Sequence, residues 1–224
     1  MSTQTYLINF GFNDFLAPEL IYHVFRNDLQ QTKKLLESGI DISQVDESGR
    51  TALWWASENQ SLEMLQLLFK NKALENVSLE AYTSYICKAA ERNNRIVYNF
   101  WVCICVDFYQ RSKSHALQSA VSGASTEILK ELLKDGADPN YQNAIDGSTA
   151  LHIACEKLRV EVVRILIEAG ADTSLLSKFG FSAADHAVKK HFLSPYKWHK
   201  SQKAARDEIL KTLAEAKSYI GKIT

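Results

Sequence analysis

Few side chains in this sequence could do chemistry, and their spacing restricts what that chemistry would be. His152 and Cys155 lie one helical turn apart, the separation that would set a thiol nucleophile beside a histidine base. Cys103 and Cys105 are two positions apart, which on a helix turns them about 200° from each other, so they cannot share a metal ion. With Cys87 added, the four cysteines show no paired metal-type spacing. No glycine-rich phosphate loop, metal-ligand helix or nucleophile elbow occurs anywhere. No cofactor and no metal are expected, and the chain reads as a non-enzyme. One stretch could hold anions. From His186 through Arg206 there is no acidic residue, while Lys189, Lys190, Lys197, Lys200, Lys203 and Arg206 are interleaved with Phe192, Tyr196 and Trp198. Such a mixture can grip a nucleic-acid backbone or an anionic membrane surface with an affinity that falls steeply with salt. A solvated loop is the plainer reading of the same run.

The composition is that of an ordinary folded chain. Of 224 residues, 46% are hydrophobic and 23% charged, so there is material for a large core. Lys+Arg and Asp+Glu both number 26, and no net field draws the protein toward nucleic acid or membrane. The segment from Met1 to Phe15 has no basic region followed by an apolar run, so no secretory signal is expected. Free thiols in a reducing compartment, the cytoplasm, follow from that. The most apolar stretch, Phe100 to Tyr109, is about half the ~20 residues a spanning helix needs, so a soluble protein is expected.

Self-similarity supplies the elements that position these residues. Gly147-Ser-Thr-Ala-Leu-His-Ile-Ala-Cys155 continues to Val162-Val-Arg-Ile-Leu-Ile-Glu-Ala-Gly-Ala-Asp172. Gly49-Arg-Thr-Ala-Leu53 with Met64-Leu-Gln-Leu-Leu-Phe69 is a second copy, and Ile128, Leu129, Leu132, Leu133 and Gly136-Ala-Asp138 repeat the latter half. The position ending the second helix falls at Gly39, Lys72, Cys105, Gly136 and Gly170, in steps of 33, 33, 31 and 34. A slot for a capping hydroxyl lies about 21 residues earlier, at Pro18, Thr51, Ser84, His115 and Thr149, each followed two positions on by Leu20, Leu53, Ile86, Leu117 or Leu151. The pattern resembles the ankyrin repeat, with Ala150 replacing its proline. Five copies follow from the register, and a sixth begins at Gly180 and resumes at Glu208 after an insertion near 192–205.

The resemblance implies an all-α ankyrin-repeat solenoid of about six helix-turn-helix units in one domain over 1–224, with repeats near 17–46, 47–79, 80–112, 113–144, 145–177 and 178–217. The third is degenerate and the sixth carries the insertion. Thr51, Ser84, Thr149 and Ser182 are expected at helix starts, and the apolar segment Tyr6 to Phe12 is expected to cover the first repeat. His152 becomes a structural residue and Cys155 a core replacement for alanine. The family binds partner proteins on its concave groove and turn tips. Carried over residue by residue, the groove contacts are Tyr22, Phe25, Trp55, Glu58, Lys88 and Arg92, with Lys189 and Lys190 beyond them. Trp54 and Trp55 could equally pack between neighbouring units. The turn tips are Asp46 to Arg50, Tyr141 to Asp146 and Leu175 to Phe181, where Leu175, Leu176 and Phe179 are apolar. The expected partner is another protein, met by a monomer with no small-molecule substrate. An anionic surface meeting Lys197, Lys200 and Lys203 is an alternative. Leu16 to Phe25 also resembles the opening of an F-box, which would imply a ubiquitin-ligase adaptor, but the register assigns those residues to the first repeat. Small proteins of this kind resemble both cytosolic adaptors and effectors that intracellular bacteria deliver into a host.

Overall fold

A computed structural model describes residues 5–10, 13–73, 77–104, 106–123, 126–193 and 200–220. The chain divides into two compact units, one of residues 1–89 and 94–109, the other of residues 90–93 and 110–224. The fold is mostly helical. In the first unit, strands β1 (Thr5–Phe10) and β2 (Asn13–Pro18) pair antiparallel, with Tyr6 opposite Ala17 and Leu7 opposite Leu16. They lead into α1 (Glu19–Phe25), α2 (Leu29–Glu37), α3 (Ala52–Glu58), α4 (Leu62–Lys70), α5 (Leu79–Glu91) and α6 (Arg95–Ile104). α7 (Val106–Gly123) continues into the second unit, which holds α8 (Thr126–Lys134), α9 (Ala150–Glu156), α10 (Val160–Glu168), α11 (Ala183–Leu193) and α12 (Lys200–Ile220).

These helices are mostly too short to persist alone, so their stability comes from burying one apolar stripe against neighbours. Leu20, Ile21 and Val24 do this on α1, Met64, Leu65 and Leu68 on α4, and Val162, Val163 and Leu166 on α10. Each such side chain stabilises by about 1.5–3 kcal/mol. In the first unit α1 packs on α2, α3 on α4, and each also lies beside its counterpart, α1 with α3, α2 with α4, α4 with α6. In the second, α9 packs on α10 and α11 on α12, with α9 beside α11 and α10 beside α12.

The backbone carries the same period. Left-handed residues join the paired helices at Asn27, Gln60, Asn93 and Leu158, in steps of 33, 33 and 65. A second set follows the second helices at Gly39, Lys72, Gly136 and Gly170. Glycine adopts that conformation without cost, whereas Lys72 and Leu158 must hold it against their own Cβ atoms.

Thr51 and Thr149 cap α3 and α9 as expected, their hydroxyls accepting from the Trp54 and His152 amides. Ser182 caps α11 in exchange with Asp185. Ser84 does not cap. α5 starts five residues earlier, where the Ser78 hydroxyl accepts from the Ala81 amide, so Ser84 lies mid-helix. His115 likewise falls inside the 18 residues of α7, because helix occupies the place where other repeats have a turn. α7 ends at Gly123, where a Cβ would stand 1.6 Å from the Glu91 carbonyl oxygen, so only glycine fits. The insertion near 192–205 is taken up largely by lengthening α11 and α12, while 194–199 lie outside the described residues. The apolar N-terminal segment does meet the first repeat, as a hairpin: Tyr6 stacks on Tyr22 of α1 with ring centroids 4.7 Å apart.

Candidate protein-interaction surface

In the first unit the groove residues carried over from the resemblance sit on the first helices α1, α3 and α5. Trp55 is fully buried on α3. Its indole N–H donates to Asp46 Oδ2 at 3.0 Å, and Arg50 Nε donates to the same oxygen at 2.8 Å. Asp46 Oδ1 accepts from the amides of Ser48 and Arg50, so the buried carboxylate is fully used. The Arg50 guanidinium covers the Trp55 ring at 4.4 Å, and Phe25 meets that ring edge-on at 5.1 Å. Of the two readings of Trp55, groove contact or packing, the ring is packed: the carboxylate at the base of the turn holds its N–H inside. Trp54 stays half-buried beside it.

Tyr22 and Phe25 are half-buried, the first stacked on Tyr6 and the second edge-on to Trp55. Glu58 reaches Lys88 at 3.9 Å, joining α3 to α5. Asn59 ties α3 to α1 through its side-chain amide, donating to the Phe25 carbonyl at 2.9 Å. Arg92, in the second unit, is exposed just past α5.

The thiol–imidazole pair is structural. His152 is buried, and its Nδ1 accepts from the Thr149 amide at 3.2 Å while Nε2–H donates to the Phe181 carbonyl at 3.1 Å. Both ring nitrogens are thus committed to the neutral form, and burial lowers its pKa. Burial pushes the Cys155 thiol up to about 12, so no thiolate forms near neutrality. Among the described residues no group of three His, Cys, Asp or Glu side chains could hold a metal.

The turn tips of the second unit are different in kind. Gly147 holds φ +71°, and a Cβ there would lie 2.9 Å from the Lys178 amide of the next tip. That close approach lets the Lys178 amide donate to the Asp146 carbonyl at 2.8 Å. Gln142 Nε2 donates to the Leu176 and Gly147 carbonyls, and Lys178 Nζ to the Ala144 carbonyl. The two tips are laced into one body, yet Ile145 is 90% exposed, Phe179 71% and Leu176 52%. Leu175 is half-buried. Leu176 and Phe179 were legible as apolar tip residues. Ile145, Gln142 and Lys178 were not, because their roles depend on the neighbouring tip.

The basic run is only partly open to description. Lys197 lies outside the described residues, as do the side chains of Lys189, Lys190 and Lys200. Lys203 is exposed on α12, and Arg206 pairs with Asp207. Among the described residues no helix is long and apolar enough to cross a membrane.

The geometry can be set beside known proteins. The family model for ankyrin repeats (3 copies) matches residues 20–100, 85–177 and 116–197. An L-asparaginase of Dirofilaria immitis is 27% identical over 177 residues, which is 78% of this chain and 30% of that protein. An ankyrin repeat and KH domain-containing protein, mask-1, of Caenorhabditis elegans is 26% identical over 145 residues, covering 64% of this chain and 5% of its own length. The chain thus spans less than a third of either relative. The human ASB11 ankyrin repeat domain superposes with a TM-score of 0.66 at 22% identity, over 87% of this chain and 82% of that one. Ankyrin repeats are generally protein–protein interaction modules. With its paired helices, its left-handed joints at Asn27, Gln60 and Asn93 spaced 33 residues apart and a family model reaching from residue 20 to 197, this chain belongs to the ankyrin-repeat family.

Proposed function

We propose that the chain is a non-catalytic, monomeric module for binding a partner protein, with the turn tips of its second unit and the first-helix face of its first unit each a contact surface in its own right. The observation that carries this reading is the exposure of Ile145, Phe179 and Leu176 on tips locked together by Gln142 and Lys178. Large apolar side chains that water must otherwise solvate are natural anchors, and a surface already held rigid loses little entropy on binding. Tyr22, Phe25, Glu58 and Lys88 form the contact face of the first unit taken by itself, and Arg92, just past α5, belongs to the second. Trp55 supports from beneath and touches no partner. The free thiols of Cys103 and Cys155 accord with a reducing compartment such as the cytoplasm.

The test is proximity labelling in cells with the wild-type chain and an Ile145→Ser/Phe179→Ser variant. Loss of two anchors weakens a complex roughly tenfold or more, so a defined set of labelled proteins should fall away while the thermal transition stays in place. An unchanged set sinks the proposal. Trp55→Ala is the contrasting control, since it should lower the melting temperature.

A further inference from the structure

In the second unit a second helix ends on a turn, and the turn of the next repeat lies beside it. α8 and α10 stop at Lys134 and Glu168, and the backbone turns at Gly136 and Gly170. Asn140 ties these two turns together: its Nδ2 donates to the Gly170 carbonyl at 3.2 Å, and its Oδ1 accepts from the Asp172 amide at 2.7 Å. One repeat later the pattern breaks. The register puts Lys217 where Gly136 and Gly170 stand, and α12 runs on past it to Ile220. With helix in the place of a turn, a cleft of about 780 Å³ is left between the 170–174 segment and α12, wholly within the second unit. Ile167, Ala171 and Ala216 give it an apolar lining. Its polar side chains are Asp172, Ser174, Thr212 and Glu215.

Every polar group of that lining is an acceptor, and among the described residues that form it none has a proton left to give. The amides are all used: Gly170 donates to the Ile167 carbonyl, Ala171 to that of Leu166, Asp172 to Asn140 and Ser174 to Asp172 Oδ1. Those of Thr212, Glu215 and Ala216 lie inside α12. The hydroxyls are used too, Ser174 donating to Asp172 Oδ1 at 2.6 Å and Thr212 to the Glu208 carbonyl at 2.9 Å. The bonds from Ser174 hold the Asp172 carboxyl below its ordinary range, so it is charged near neutrality. Lys211 stands 3.9 Å from Glu215 in an exposed pair, too far for a hydrogen bond, and leaves that carboxylate's acceptor positions open. Two classes of occupant are thereby excluded. An anion would meet only acceptors. A peptide backbone needs a donor for its carbonyl, as Asn140 supplies upstream, whereas Ser174 in the same slot gives its proton to Asp172.

We propose that the cleft binds a small organic cation, with a primary ammonium or guanidinium held by Asp172 and Glu215 and an apolar body against Ile167, Ala171 and Ala216. The volume suits a ligand of drug size, and such sites combine a mostly apolar lining with a few placed polar groups. The cleft shares no residue with the turn tips or the first-helix face, so it stands or falls separately from the protein-binding reading.

The experiment titrates the full chain, by ligand-observed NMR, with phenylbutylamine, the neutral phenylbutanol, the anionic phenylbutyrate and a phenylalanyl-lysine dipeptide blocked at both ends. Phenylbutylamine should bind roughly tenfold more tightly than phenylbutanol, the contribution of a charge-assisted hydrogen bond, and phenylbutyrate should not bind. Glu215→Gln removes one charge from an exposed helix position and should erase most of that tenfold with an unchanged circular dichroism melt. Ala216→Phe fills the cleft from its half-buried edge and should abolish binding of the amine. Ile145→Ser/Phe179→Ser should leave it intact. The proposal is overturned if the amine does not bind, if amine and alcohol bind alike, or if Glu215→Gln and Ala216→Phe leave affinity unchanged. Tighter binding of the blocked dipeptide than of the amine would also overturn it, by assigning the cleft to a lysine of a partner protein.

Discussion

The third and fifth repeats solve one packing problem with different residues. In the fifth, Thr149 and His152 form a reciprocal cap, and small or aliphatic side chains (Leu151, Ala154, Val163, Leu166) fill the space between α9 and α10. In the third, no such cap exists, and aromatic rings fill the corresponding space. Tyr82 donates to the Trp101 carbonyl, Tyr85 lies against the Trp101 ring at 5.0 Å, and the Tyr98 and Tyr109 hydroxyls meet at 3.2 Å. The family motif is therefore one way of meeting the requirement, which is burial of two stripes at the spacing of a paired helix. A repeat that drops the motif can keep its place if large rings recover the lost volume.

The sharpest way to break this comparison is to hollow the aromatic core. Trp101→Ala should cost about 3–5 kcal/mol, read as a fall in the denaturant midpoint. A loss under about 1 kcal/mol would mean that the rings are decoration and the third repeat is held by its neighbours. The fifth repeat should respond to acid where the third does not. Burial holds folded His152 below the ordinary 6.5, so the unfolded chain binds protons first. Stability conferred by neutral His152 is thus complete above pH 6.5 and is lost as pH falls from there toward the depressed folded value. Melting temperatures measured from pH 7.5 to 5 should decline less in His152→Gln than in the wild type. Equal slopes would contradict the assigned bonds.

A smaller effect sharpens the comparison at the joints. Lys72 holds φ +67° where Gly39, Gly136 and Gly170 stand in other repeats. Lys72→Gly should raise stability by about 1 kcal/mol by removing the left-handed penalty, less the entropy that glycine adds to the unfolded chain. The smallest expected change is at Ile96, exposed where positions 63, 127 and 161 carry glutamate: Ile96→Glu should shift the denaturant midpoint by no more than the equivalent of about 0.5 kcal/mol.

Reading the residues in order revealed the repeats because their signals are local. A threonine before an apolar run, a glycine after it and leucines at helical spacing each act on their own few neighbours. Degeneracy hid detail where local signals gave way. Ser84 had the right register to be a cap, but no turn precedes it, and Ser78 took the role. His115 was absorbed into α7 for the same reason. The N-terminal apolar run announced that it would cover the first repeat, yet its pairing into a hairpin depends on contact with α1.

Order along the chain was enough to establish the helix period, the family and the aliphatic positions such as Leu53, Leu117 and Leu151 that face inward, since these follow from side-chain spacing within one or two turns. Which aromatics reach solvent was settled by assembly. Trp55 disappears because Asp46 and Arg50 close over it, and Ile145 and Phe179 stay in water because the bonds of their tips run through Gln142 and Lys178 instead. Burial is a property of everything within reach of a side chain in space, and most of what lies within reach here comes from a neighbouring repeat about thirty residues away.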